Sequence, residues 1–122
     1  MQNINLGEFV RLYVDSIINH RNGNRLGQDL DGFYSDVFKD VSERTGISPE
    51  DVKFLQHPFH WAMFSDRRGS VKSIIPVEYG ESSQRLCSEG IDERTAACDY
   101  ILEKYRPLLE TRLRMKGISV SP

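Results

Sequence analysis

The chain is short of the residues that mark specialised protein classes. It has two cysteines, one tryptophan and five prolines in 122 residues. Two cysteines, Cys87 and Cys98, cannot build a disulfide scaffold, and both are expected to be reduced and buried. Glycine has no three-residue period, which excludes a collagen-like chain, and no heptad pattern is sustained, which excludes a coiled-coil rod. No window approaches the ~18–20 apolar residues that span a bilayer, so no membrane partner is expected. Met1 to Glu8 show no cationic stretch leading into an apolar one, so the N-terminus does not read as a secretory signal and the expected location is cytoplasmic. An excess of one charge is also missing. Lys and Arg number 16 against 18 Asp and Glu, a formal charge of −2. A chain so balanced is not a strong binder of nucleic acid or membrane surface by charge alone.

What is present is a composition able to bury a core. Apolar residues make up 39% and charged residues 28% of the chain. The length suits one domain, residues 1–122, and is too short for two well-cored ones. No repeat, linker or low-complexity tract divides it.

Hydrophobic periodicity places the elements. Phe9, Val10, Tyr13, Val14, Ile17 and Ile18 form one apolar stripe, predicting a helix from about Leu6 to His20. Leu30, Phe33, Tyr34, Val37, Phe38 and Val41 form a second, predicting a helix from Gln28 to Thr45 with Gly46 just past its end. Ser48-Pro49-Glu50-Asp51 is a start signal: serine caps, proline fits the first turn, and two acids suit the positive end of the helix dipole. Val52 and Leu55 point inward, and Pro58 is expected to end this third helix at Gln56 or His57. Trp61 to Ser65, the turn Asp66–Gly69 and Val71 to Val77 then read as a β-hairpin, with Trp61, Met63 and Phe64 in its core. A polar connection leads to a last, long helix opened by Asp92 and striped by Ala97, Tyr100, Ile101, Tyr105, Leu108, Leu109 and Leu113. Pro107 predicts a kink near Glu103, or two helices meeting there. Gly117 closes the helix, and Ile118 to Pro122 is expected to be a tail. The fold class is therefore α+β and mostly helical: three N-terminal helices, one β-hairpin and a long, kinked C-terminal helix.

Ser42, Gly46, Ile47, Val52 and Leu55 have the spacing of a helix-turn-helix, in which a small residue and a tight-turn glycine let two helices pack. With a hairpin after the third helix, the element order resembles a winged helix. That resemblance implies DNA binding through Lys53, Gln56 and His57 on the third helix and Arg67 and Arg68 at the wing tip. Charge opposes it. Met1 to His60 hold six Lys/Arg and nine Asp/Glu, whereas DNA affinity rests on cations that release phosphate counterions.

The acids themselves make the favoured candidate. Asp36, Asp40 and Glu43 recur on the polar face of the second helix, and Glu50 and Asp51 open the third. Such a face suits a basic protein partner. The expected function is that of a small non-enzymatic regulatory protein, of inhibitor or antagonist type, acting through these five residues. The runner-up is the winged-helix DNA-binding regulator. A bare hairpin edge, or apolar surface left on the last helix, would support a homodimer. His57 and His60, with Cys87, Cys98 or Asp66, lack the spacing of a metal site, and their plainer reading is a helix-to-strand corner. No GxSxG, Walker A or GxGxxG motif is present, so neither an enzyme nor a cofactor is expected.

Overall fold

The computed structural model describes residues 3–21, 30–63 and 93–121. It is mostly helical, with a small two-stranded sheet. Strand β1 (Asn3–Asn5) leads into helix α1 (Leu6–Arg21), followed by α2 (Leu30–Thr45), α3 (Pro49–Phe54), α4 (Gln56–Met63), α5 (Glu93–Met115) and strand β2 (Ser119–Ser121).

Helix α1 is central and packs against both α2 and α5. Its stripe is buried as the periodicity requires: Phe9, Val10, Tyr13, Val14 and Ile17 face inward, and Ile18 is half-buried. Tyr13 stacks on Phe59 of α4 with ring centres 3.9 Å apart, and Phe9 meets both rings edge-on. The Tyr13 hydroxyl donates to the Val52 carbonyl at 2.9 Å, so a polar group carried into the core is satisfied there. Asp15 of α1 and Arg94 of α5 form an ion pair across the same helix packing.

Four described elements depart from the sequence reading. The third helix ends before Pro58, earlier than expected, but a new helix and not a strand follows it. Pro58 lies in the first turn of α4, where its missing N–H would have no intrahelical partner in any case. The break falls at Leu55, so the described residues before 64 hold four helices rather than three. Trp61, Ala62 and Met63 belong to α4 and not to a strand, so the start of the expected hairpin is helical. The rest of that hairpin, Phe64 to Val77, lies outside the described residues, as does Asp92. Two helices do not meet near Glu103: the last helix is one element from Glu93 to Met115 with Pro107 inside it. Both Pro107 and Glu103 are exposed, on a side where water can reach the carbonyl that the proline leaves without a donor.

The expected C-terminal tail is the fourth departure. Gly117, at φ 73°, lets the Ile118 N–H reach the Leu113 carbonyl and its own N–H reach that of Arg114, both at 3.0 Å. This is the paired bond pattern of a left-handed helix stop, with Ile118 and Leu113 buried together beneath it. The chain turned this way lays β2 parallel to β1, with Asn3 opposite Ser119, Ile4 opposite Val120 and Asn5 opposite Ser121. Ser121 Oγ adds a bond to the Ile4 carbonyl at 3.1 Å.

Candidate functional site

The α2–α3 turn is fixed from both sides. Gly46 adopts φ 78°, a left-handed conformation that costs glycine little. Its N–H donates to the Ser42 carbonyl at 2.9 Å. Thr45 Oγ1 donates to Val41 O at 2.7 Å and accepts the Ile47 N–H at 3.2 Å. Ile47 is buried and anchors the turn to the core. Ser48 then caps α3: its Oγ accepts the Asp51 N–H at 3.3 Å, and its carbonyl accepts the Val52 N–H at 3.0 Å.

The five predicted acids divide into two groups on this frame. Asp40 pairs with Arg44 at 3.4 Å and Asp51 with Lys116 at 3.8 Å. Both carboxylates are thus partly neutralised within the chain, and Asp36 on α2 is half-buried. Glu43 and Glu50, one on each side of the turn, are exposed and form no ion pair among the described residues. The turn therefore brings the free part of the acidic surface down to two carboxylates.

Three of the five residues expected to contact DNA lie among the described residues. Lys53 and His57 are exposed on the outer side of α3 and α4. Gln56 is half-buried, hydrogen-bonds the Tyr34 hydroxyl, and lines a shallow cleft with Asp31, Tyr34, Ser35, Phe38 and Lys53. Arg67 and Arg68 lie outside the described residues. The helix-turn-helix spacing itself is realised, with Ile47, Val52 and Leu55 buried and Ser42 half-buried around Gly46. This establishes a packing solution and not a DNA contact.

The two histidines have separate roles. His60 Nδ1 lies 2.7 Å from the Tyr34 hydroxyl. Burial, with a smaller effect from His57, holds the His60 imidazole below its ordinary pKa. Burial likewise raises the Tyr34 phenol. His57 Nδ1 accepts from Arg112 Nη1 at 3.2 Å, and its ring stacks on Trp61 at 5.4 Å. Cys98 is a free, buried thiol on α5, its pKa pushed up to about 12, chiefly by burial. Among the described residues no group of three or more His, Cys, Asp or Glu is placed to hold a metal ion. No helix among them is long and apolar enough to cross a membrane.

Sequence reasoning missed two residues here. Trp61, expected in a hairpin core, is 46% exposed on α4, beside His57 and Tyr105. Arg112, near the end of α5, reaches back to α3. Its Nη1 donates to the Phe54 carbonyl at 2.8 Å, and its guanidinium lies over the Phe54 ring at 5.2 Å. Pro58 held the signal for the second, because a proline orphans the carbonyl four residues before it.

No family model, curated protein or solved structure matches this chain.

Proposed function

We propose that this chain is a non-enzymatic regulatory protein that binds a basic surface of a protein partner through the α2–α3 turn. The observation that carries the reading is the pair Glu43 and Glu50, exposed and free of ion pairs among the described residues, on a turn whose backbone is capped from both helices. Carboxylates held on a rigid frame lose little freedom on binding and steer a cationic partner toward it. Asp36, Asp40 and Asp51 extend the same negative field, at lower strength where Arg44 and Lys116 offset it.

The test is affinity capture from a lysate of the source cells, with the double variant Glu43→Lys, Glu50→Lys beside the unaltered chain. A protein retained at low salt, released at about 0.3 M salt, and absent from the variant supports the reading. An unchanged set of captured proteins removes it. Salt-sensitive binding of a random DNA duplex, strengthened by the same charge reversal, would favour the winged-helix alternative instead.

A further inference from the structure

Where α5 meets α3 and α4, rings and cations alternate through direct contacts. Lys116 Nζ and the Arg112 guanidinium both lie over the Phe54 ring, at 4.6 and 5.2 Å. Arg112 Nη1 also donates to His57 Nδ1 at 3.2 Å, and the imidazole stacks on the Trp61 indole at 5.4 Å with 19° between planes. Tyr105 flanks the indole at 6.4 Å, and Lys104 Nζ lies over the Tyr105 ring at 5.4 Å. The array is thus held from several sides, with the Trp61–His57 pair near its middle.

Two of its features go unused by the fold. Trp61 is 46% exposed and His57 is exposed beside it, although tryptophan is on average a highly buried residue. The charge of Arg112 is not offset by a carboxylate among the described residues. Its contacts there are neutral, and its two hydrogen bonds use only Nη1. Lys104 is exposed at the Tyr105 end, and Lys116, exposed at the Phe54 end, is partly offset by Asp51. The one acid between Lys104 and Lys116 is Glu110, which pairs with Arg106 and Arg114 instead. A chain of formal charge −2 therefore carries a locally cationic face around an open aromatic pair.

Flat rings between cations complement a ligand that itself has flat rings joined by anions. Unpaired nucleobases on a phosphate backbone have that chemistry: bases stack on aromatic side chains while cations track the backbone. An acidic peptide would match the charge and leave the rings unused. A duplex would match the charge but keeps its bases stacked on one another. Lys104 and Arg112 are eight residues apart on α5, about 12 Å along its axis, one at the Trp61 side of the ring pair and one at the His57 side.

We propose that this face binds single-stranded nucleic acid, a base stacking on the Trp61–His57 pair and the flanking phosphates held by Lys104 and Arg112. It includes neither Glu43 nor Glu50, so the failure of either proposal leaves the other standing.

The chain has one tryptophan, so its emission reports on this face. Twelve-nucleotide oligouridylate and oligodeoxythymidylate are titrated at about 50 mM salt. The expected result is saturable quenching by either strand, with log K falling against log salt at a slope of about −1.4, for two phosphates. Polarisation of the same strands, fluorescein-labelled, then reads the variants. Trp61→Ala should weaken binding at least about fivefold, and Trp61→Phe less. Lys104→Gln should lower the slope to about −0.7. A 12-base-pair duplex and a polyglutamate of equal charge should each bind at least about tenfold more weakly. Both substituted positions are exposed, and circular dichroism checks that the variants fold. No saturable binding up to about 500 µM of either strand overturns the proposal. So does a Trp61→Ala chain that binds as the parent does, or a duplex or polyglutamate that binds as tightly as the single strands.

Discussion

Arg112 Nη1 lies 2.8 Å from the carbonyl oxygen of Phe54, and this contact completes a helix that proline interrupts. In an unbroken helix the Phe54 carbonyl would accept from the N–H of residue 58. Residue 58 is proline, which has no N–H and whose ring crowds that same carbonyl. The chain responds twice. It separates α3 from α4 at Leu55, and it supplies a charged donor from α5.

The compensation is measurable as a coupling. Arg112→Met keeps the aliphatic stem over Phe54 and removes the donor. It should destabilise the chain by about 1.5–3 kcal/mol, the range for a hydrogen bond to a charged group. Pro58→Ala returns an N–H to the position. In that background Arg112→Met should cost less than about 1 kcal/mol. Urea unfolding of the four chains gives the cycle, and equal costs in both backgrounds would separate Arg112 from the proline.

Tyr13 links α1 to the same region by a different bond. Tyr13→Phe removes the hydroxyl that reaches Val52 O and leaves the ring on Phe59. It should cost about 1 kcal/mol, the lost hydrogen bond alone, because Val52 O still accepts the Leu55 N–H at 3.1 Å. Phe59→Ala, which opens a cavity under two aromatic rings, should cost about 3–5 kcal/mol. Thermal or urea unfolding ranks the two.

Acid should loosen the packing between α2 and α4 through His60. Burial is the main cause that lowers its imidazole's pKa in the folded chain. The unfolded chain binds a proton there near the ordinary value of about 6.5, and the folded chain does so only at lower pH. Between those two values the unfolded state holds more protons, so stability rises with pH across the window and is fully present above it. His60→Gln should flatten the pH dependence of unfolding below about pH 6.5, whereas the parent chain loses stability as pH falls.

Gly117 stands at φ 73° with nothing within 4 Å of where a Cβ would lie. The cost of Gly117→Ala is therefore conformational and not steric crowding from neighbours. It should be about 1–2 kcal/mol, with Gly117→Asn cheaper because asparagine tolerates the left-handed region. Loss of the β1–β2 pairing, read from amide exchange at Ile4 and Val120, should accompany it.

The helices were legible wherever a strong stripe met a clear stop. Leu6 to His20 as read differs by one residue from α1, and Thr45 ends α2 as read, with Gly46 beyond it. Ser48 likewise caps α3 as its sequence context implies. Local signals failed where the deciding interaction was remote. Pro58 reads as a stop because the donor that replaces its N–H sits 58 residues away from Phe54 in sequence, on α5. The three-residue strands pair across nearly the whole chain, and Asn-Ile-Asn and Ser-Val-Ser are too short for their alternation to reveal them. Trp61 misled because Pro58 reads as the end of a helix and the start of a strand, whereas the helical continuation of α4 turns Trp61 outward. Of the acidic candidates, sequence gave the face but not the internal cations, Arg44 and Lys116, that leave Glu43 and Glu50 as its free members.

The most direct measurement is site-specific photo-crosslinking in a lysate of the source cells. A photoreactive benzoylphenylalanine is placed at Lys39, exposed one turn before Glu43 on α2, and in a control chain at Asn19, exposed on α1. Binding through the α2–α3 turn predicts a discrete protein adduct from position 39, missing from position 19 and lost when Glu43 and Glu50 are both changed to Lys. No adduct at position 39, a nucleic-acid adduct there, or the same protein adduct at both positions would contradict it.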